Sequence, residues 1–248
     1  MPELHVIIIL IIVCAITFSF EIVFGLAGTI LMITIMSIFI DSRILIIYSI
    51  LPQVLVALIA LGKSYKNIDF KNIFQMILVA SLGVIIGTFF FKGISHETFE
   101  ILLALIITGA GIFMIISPSF NINKTTQKIM DFSSGLSHSI FAISGPIVMT
   151  RLMGSYSDKT KIRNSAFMFY LGINIVRIIN YTINNTVTPE IFKLFYISAP
   201  VLIVVLFFAD KLHFKIKNDT FKKNVAWIIF FSGIYMLAKF LIKYYNII

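Results

Sequence analysis

Apolar residues run along this chain in long stretches, and charged or turn-forming residues are confined to short segments between them. A membrane crossing takes about 20 mainly apolar residues. Six stretches of that kind stand out, at residues 44–61, 73–91, 99–117, 162–183, 191–209 and 225–242. Two further regions do not read as single crossings. Residues 6–40 are apolar throughout yet some 35 residues long, and residues 129–154 are interrupted by polar and small side chains. Each carries a break near its middle: Phe24-Gly25-Leu26-Ala27-Gly28-Thr29 in the first, Ser137-His138-Ser139 and then Ser144-Gly145-Pro146 in the second. Gly and Pro at membrane depth free backbone groups that lipid cannot satisfy, so both breaks are expected to face protein or a water-filled cavity.

The chain also resembles itself at an offset of 117 residues. Phe24, Gly28, Ile30, Met32, Met36 and Asp41 fall on Phe141, Gly145, Ile147, Met149, Met153 and Asp158, and Phe91 and His96 fall on Phe208 and His213. The pattern divides the chain into two repeats, 1–120 and 121–248. An odd number of crossings per repeat makes them inverted, an even number parallel.

Charge decides between these. If each broken region crosses once, the two sides hold eight and eleven basic residues, which is almost no bias. If each is instead a hairpin returning to its own side, fourteen Lys and Arg gather on one side, in the groups at 63–71, 124–128, 151–163 and 211–223. The other side keeps five: Arg43, Lys92, Lys193, Lys239 and Lys243. Orientation selection produces a bias of the second kind. The expected fold is therefore an all-α polytopic membrane protein, one integral membrane domain over residues 1–248. It is built as two inverted repeats, each a broken-helix hairpin plus three transmembrane helices, about eight membrane helices in all. The chain is expected in the cell membrane as a multi-pass protein with both termini on the non-cytoplasmic side. One alternative stays open, because the first arm, residues 6–23, is long enough to cross fully.

Composition narrows the function classes. Of 248 residues, 59% are hydrophobic and 12% charged, and the mean hydropathy is +1.01. Soluble domains carry roughly a quarter charged residues, so a soluble globular protein, a disordered chain and a disulfide scaffold are excluded. The formal charge of +9 sits between apolar segments, where it fits topology and anionic lipid rather than nucleic acid. The single cysteine, Cys14, allows neither an intrachain disulfide nor a Cys-based metal site. No cofactor, metal or nucleic acid is expected.

Ionisable residues inside apolar segments are costly, and each is a functional hypothesis by default. There are three: Glu21, His138 and Arg177. Glu21 and His138 correspond under the 117-residue offset, a few residues before each break, and form a candidate proton-coupling pair; the competing reading is that both are solvated near hairpin mouths. Arg177 shares a helix face with Asn174 and Tyr170. Its guanidinium needs an anionic partner, supplied structurally by Glu21 or functionally by a substrate carboxylate, sulfonate or sulfite. Helices that begin at Gly28-Thr29 and Gly145-Pro146 would point N-termini at the midplane, where free N–H groups and the helix dipole favour anions. Ser144 adds a hydroxyl there. The competing reading is that Gly25, Gly28 and Gly145 only allow close helix packing, and paired breaks in matching positions of two halves favour the substrate site over it. Gln53 aligns with Tyr170 of the other repeat and is either a symmetric contributor or an interhelical hydrogen-bonder. His96 and His213 read as solvated loop residues. The chain carries no nucleotide-binding glycine loop, His-Glu-x-x-His helix or Gly-x-Ser-x-Gly elbow, and so no enzyme signal.

The glycine-bearing break Phe24-Gly25-Leu26-Ala27-Gly28, its second copy Ser144-Gly145-Pro146, the Tyr170-Leu171 pair on the following helix and the basic loop after the second break resemble the TauE/SafE family of membrane transporters, the sulfite exporters. The resemblance spans essentially the whole chain. Thr29 and Ile30 stand where further glycines are common in that family. The resemblance implies a secondary transporter that exports sulfite or an organosulfonate, coupled to an ion gradient of protons or sodium. Its partners would be a small anionic substrate, the coupling ion, the lipid bilayer and, for a homo-oligomer, further copies of itself. A passive anion channel and, more remotely, a membrane-embedded enzyme or assembly subunit are the rival readings.

Overall fold

The computed structural model describes residues 3–62, 64–65, 68–116, 123–213 and 215, with 227, 230–231, 233–238 and 241–242. Among these residues every regular element is a helix: α1 (Leu4–Phe24), α2 (Gly28–Met36), α3 (Ser42–Tyr48), α4 (Ile50–Leu61), α5 (Phe70–Gly93), α6 (His96–Ile116), α7 (Lys124–Phe141), α8 (Gly145–Met153), α9 (Lys159–Ile183) and α10 (Pro189–His213). Five stretches are long and apolar enough to cross a membrane: Leu4–Phe24, Ser42–Leu61, Phe70–Phe91, Lys159–Ile183 and Pro189–His213. Four of these contain expected crossings, and the fifth is α1, the unbroken first arm. The expected crossing at 99–117 falls on α6 as far as Ile116, and residue 117 lies outside the described residues. The expected crossing at 225–242 lies largely outside the described residues.

Short polar side chains set where the helices begin. Asp41, Asp69, Asn123 and Asp158 accept hydrogen bonds from the backbone N–H of Arg43, Asn72, Thr126 and Lys161. Each satisfies a donor that the first helical turn leaves free. The Asp41 and Asp158 pair of the internal repeat is thus a pair of helix caps.

The breaks are built alike. α1 ends on Gly25, left-handed at φ 79°, whose N–H bonds the Glu21 carbonyl at 2.7 Å. α7 ends on Ala142, left-handed at φ 56°, whose N–H bonds the His138 carbonyl at 2.9 Å. Position 25 is the kind of site glycine fills without strain. Ala27 (φ 81°) and Ala142 hold the same region at a cost of roughly 1–2 kcal/mol each. Both breaks then launch nine-residue helices, α2 and α8, whose bounds differ by 117 residues.

Packing joins each hairpin to a long helix of the other half: α7 lies along α5, and α1 along α10. The α5/α7 crossing is close because glycines meet across it. A Cβ on Gly135 would stand 1.9 Å from the Ala80 carbonyl oxygen, and one on Gly83 would stand 2.3 Å from that of Phe132. Small residues that let backbones approach are how helices associate in lipid. α4 and α9 pack together between these pairs. Leu10, Phe18, Ile22, Met32, Ile46, Tyr48, Phe167, Phe169 and Tyr181 are buried between the helices. Ile8, Ile12 and Ile16 of α1, Phe74, Leu78 and Phe89 of α5, and Val204 and Phe208 of α10 face outward.

Hydrogen bonds show which helix ends meet. At one end, Arg151 at the close of α8 bonds Asn72 at the start of α5 (3.1 Å), and Asn164 early in α9 bonds the Ser64 carbonyl just past α4 (2.8 Å). Arg163 there pairs with Asp210 late in α10 (3.1 Å) and donates to the Ile22 carbonyl near the C-terminus of α1 (3.0 Å). At the other end, Asn180 late in α9 bonds Thr88 late in α5 (2.6 Å), and Tyr181 donates to the Ser139 carbonyl near the C-terminus of α7. Arg43 of α3 donates to the Ile94 carbonyl that follows α5. α1 therefore aims its C-terminus at the first end and α7 aims its own at the second.

Candidate functional site

The two breaks meet across a narrow cavity in the middle of the helices. It is lined by Glu21, Thr29 and Gln53 on one side and by Ala142, Ser144, Gly145 and Tyr170 on the other, and leaves about 10 Å³ for the centre of a water molecule. That is room for about one water. Six of the twelve residues singled out in the sequence thus line it: Glu21, Thr29, Gln53, Ser144, Gly145 and Tyr170. His138, Asn174 and Arg177 stand one hydrogen bond or more behind the wall. Pro146 occupies the first turn of α8, where its missing N–H costs nothing.

Gly25 and Gly28 shape the first break. A Cβ on Gly28 would stand 2.5 Å from the Thr17 carbonyl oxygen and 2.6 Å from Glu21 Cβ, so that glycine lets α2 start against α1.

A single hydrogen-bonded chain encircles the cavity. Thr29 donates to Glu21 Oε2 from its backbone N–H (2.9 Å) and from its hydroxyl (3.1 Å). Gln53 Nε2 donates to Thr29 Oγ1 (2.7 Å), and Asn174 Nδ2 donates to Gln53 Oε1 (3.0 Å). Asn174 Oδ1 accepts from Arg177 Nη1 (3.0 Å) and meets His138 Nε2 at 3.2 Å. His138 Nδ1 meets Ser144 Oγ at 2.9 Å. Every residue in this chain is buried. Side chains from α1, α2, α4, α7 and α9 and from the turn before α8 are thereby tied into one network.

The two helix N-termini are not equivalent. At α2 the position favourable to an anion is already filled, because the Glu21 carboxyl accepts from the N-terminal N–H of Thr29. At α8 no acidic residue lies in the first turn, and Ser144 and Tyr170 face the same space. The Tyr170 hydroxyl is buried and has no hydrogen-bond partner among the described residues. An unmatched buried hydroxyl costs about 1–3 kcal/mol, so a donor of this kind beside a cavity is suited to a water or a ligand held there.

Arg177 is fully buried and makes no ion pair among the described residues. It donates to Asn174 and to the Ile46 carbonyl (3.3 Å) and lies over the Tyr181 ring at 5.4 Å. Glu21, offered by the sequence as its structural partner, is held by Thr29 instead. Arg177 Nε is left without an acceptor.

A second charged cluster was invisible to the sequence reading. Arg163 and Asp210 are 1% and 2% exposed and lie beside the first break, where Arg163 Nη1 and His213 Nδ1 bond the Ile22 and Val23 carbonyls at 3.0 and 2.7 Å. His213 is thus a buried residue closing the end of α1, not a solvated loop histidine. Donors at a helix C-terminus satisfy its orphan carbonyls, and the Arg163 charge also suits its dipole. The one available signal was Asp210, an acid inside an otherwise apolar helix that ends in Lys211 and His213. In the second broken region, Arg151 of α8 pairs with Asp131 of α7 at 3.3 Å. Outside the spans, burial raises the pKa of the Tyr156 hydroxyl and a hydrogen bond from Asn72 opposes the rise.

Comparison with known proteins bears on this site through one match. The family model described as Sulfite exporter TauE/SafE matches residues 9–236, which contain both breaks and every residue of the encircling chain. No curated protein and no solved structure matches the chain.

Proposed function

The chain belongs to the TauE/SafE family of sulfite exporters, and on that premise we propose that it carries sulfite or an organosulfonate through the cavity between its two breaks, coupled to an ion, by alternating access. The family is one of transporters, and the chain is a multi-pass membrane protein of the anion-exporter type.

One observation carries the placement of the anion: the unpartnered Tyr170 hydroxyl, buried and turned into the cavity where α8 begins. The substrate sits against Gly145 and the N-terminus of α8, with Ser144 and Tyr170 as hydroxyl donors and Pro146 stiffening the turn. Thr29, Gln53 and Asn174 hold the opposite wall, Gly25 and Gly28 shape it, and Arg177 supplies the countercharge. Glu21 and His138 are the coupling sites, with protons as the favoured ion over sodium because both side chains are titratable and buried. A cavity with room for about one water supports a carrier caught closed over a passive channel.

The inverted-repeat reading draws support from three features. α2 and α8 are offset by 117 residues, the α1/α10 and α5/α7 pairings answer one another, and the C-termini of α1 and α7 point to opposite ends. Lys71, Arg151, Lys159, Lys161, Arg163 and Lys211 gather at the end where α1 finishes, which supports that end as cytoplasmic. Paired broken helices around a midplane site suit rocking of one repeat against the other.

The test is sulfite-dependent thermal stabilisation of the purified protein in detergent. Replacing Tyr170 by Phe removes one hydrogen bond to a charged ligand, worth about 1.5–3 kcal/mol. Half-stabilising sulfite should therefore rise roughly ten- to hundredfold. An unchanged concentration would remove Tyr170 and the α8 terminus from the site.

A further inference from the structure

The encircling chain has a fixed polarity, and Arg177 sets it. A guanidinium only donates, so the Asn174 atom it meets must be the oxygen. That orientation turns Asn174 Nδ2 to Gln53 Oε1, turns Gln53 Nε2 to Thr29 Oγ1, and sends the Thr29 hydroxyl hydrogen to Glu21. The same oxygen faces His138 Nε2, which must therefore carry hydrogen whether the ring is neutral or charged. Tautomers and amide orientations are ordinarily inferred rather than observed; here one donor-only cation determines all of them.

Only Nδ1 of His138 is then free to gain or lose a proton, and its partner is Ser144 Oγ, on the cavity wall. In the neutral ring Nδ1 accepts the Ser144 hydroxyl hydrogen, and Ser144 presents oxygen lone pairs to the cavity. In the charged ring Nδ1–H donates to Ser144 Oγ, and the hydroxyl hydrogen is released toward the cavity.

We propose that His138 and Ser144 form a polarity switch, in which a proton taken up at Nδ1 converts Ser144 from an acceptor into a donor toward the bound anion. This rests on the anion site proposed above and specifies how it is coupled. The proton comes from water, no bond in the substrate is made or broken, and one proton accompanies one anion at this site.

The groups facing His138 make the charged ring depend on the arriving anion, because Arg177 is a buried like charge that opposes it. Tyr170 of α9 lies nearly parallel to the ring, with centroids 6.1 Å apart, Arg177 acts through Asn174, and Glu21 faces from across the cavity. From α5, Ala80, Gly83, Gly87 and Thr88 approach α7, and none of them titrates. Asp131 and Arg151 pair with each other further along the hairpin. Glu21 does not share the His138 proton, since Thr29, Gln53 and Asn174 lie between them and carboxamide N–H groups do not relay protons. Arg177 is thus a positioning residue for the switch.

The experiment is nitrogen NMR of the full-length protein labelled at its four histidines, with His138 assigned by its loss in a His138→Gln variant. Neutral His138 should be the Nε2–H tautomer. Saturating sulfite at fixed pH should increase the doubly protonated fraction of His138, and by reciprocity sulfite should bind about tenfold more tightly when the ring is charged. Methanesulfonate, whose own charge does not change over the range, should act in the same direction. Ser144→Ala should keep the tautomer and abolish the response to sulfite, and Ser144→Thr should restore it. An Nδ1–H tautomer, or sulfite binding that leaves His138 protonation unchanged, would overturn the switch alone. Sulfite that perturbs no resonance in any variant would overturn the anion site and the switch with it.

Discussion

Asp210→Asn is a direct test of what holds the first break in place. Arg163 and Asp210 are 3.1 Å apart and almost fully buried, and Arg163 reaches through the pair to the Ile22 carbonyl. The substitution keeps shape and removes charge, leaving a buried guanidinium without its carboxylate. Breaking one member of such a pair costs about 3–5 kcal/mol. At about 2–4 °C per kcal/mol for a chain of this size, the midpoint of thermal unfolding should fall by about 6–20 °C. The double variant Arg163→Met with Asp210→Leu removes both charges together, and replacing a whole buried pair by apolar residues is often close to neutral. It should therefore be more stable than Asp210→Asn alone. Cys14 provides the assay, because it is the single cysteine and fully buried, so a thiol-reactive fluorophore reports unfolding as it labels. An Asp210→Asn shift under 1 kcal/mol, or a double variant losing as much as the sum of the single changes, would show that the pair does not carry the break.

Three further outcomes follow from particular contacts. Gly135→Ala puts a methyl group 1.9 Å from the Ala80 carbonyl oxygen, so α7 must move off α5, and unfolding should become easier by about 1–3 kcal/mol or more; thermal denaturation in detergent checks it, and Gly109→Ala, with nothing within 4 Å, is the neutral control. Tyr170→Phe should leave thermal stability without sulfite unchanged or raise it by up to about 1–3 kcal/mol, because it removes an unsatisfied buried hydroxyl; marked destabilisation would assign that hydroxyl a structural role. In a Cys14→Ser background, single cysteines at Lys71 and Lys211 should label from the same face of the membrane, whereas single crossings of both broken regions would put them on opposite faces; labelling from opposite faces would refute the inverted arrangement.

The fold was legible where backbone chemistry is local. Gly25 and Pro146 announced the breaks, and the 117-residue offset put the starts of α2 and α8 at Gly28 and Gly145; Asp41 and Asp158 were legible only as matched positions, and their capping role emerges from the fold. What stayed hidden depended on partners distant in sequence. Gly83 sits in an unremarkable apolar run and Gly135 among serines, and their close crossing exists only once α7 lies along α5. Arg163 counted as one more positive charge beside a span, because nothing local distinguishes a topology-setting arginine from one folded inward onto Asp210. The site was legible as a set of residues and not as an arrangement. Glu21 and His138 were paired by the repeat, yet Glu21 fills the N-terminus of α2 while His138 stands behind an open one. That difference comes from Thr29, whose N–H and hydroxyl both turn to Glu21, at the position where the other repeat carries Pro146 and has no N–H to offer.

The central claim is that the cavity carries sulfite coupled to protons. Uptake of labelled sulfite into proteoliposomes, with and without an imposed pH gradient, tests it most directly. The account predicts saturable uptake that the gradient accelerates, and that His138→Gln renders insensitive to the gradient. Uptake no greater than in empty liposomes, or uptake that rises linearly with sulfite and ignores the gradient, would contradict it.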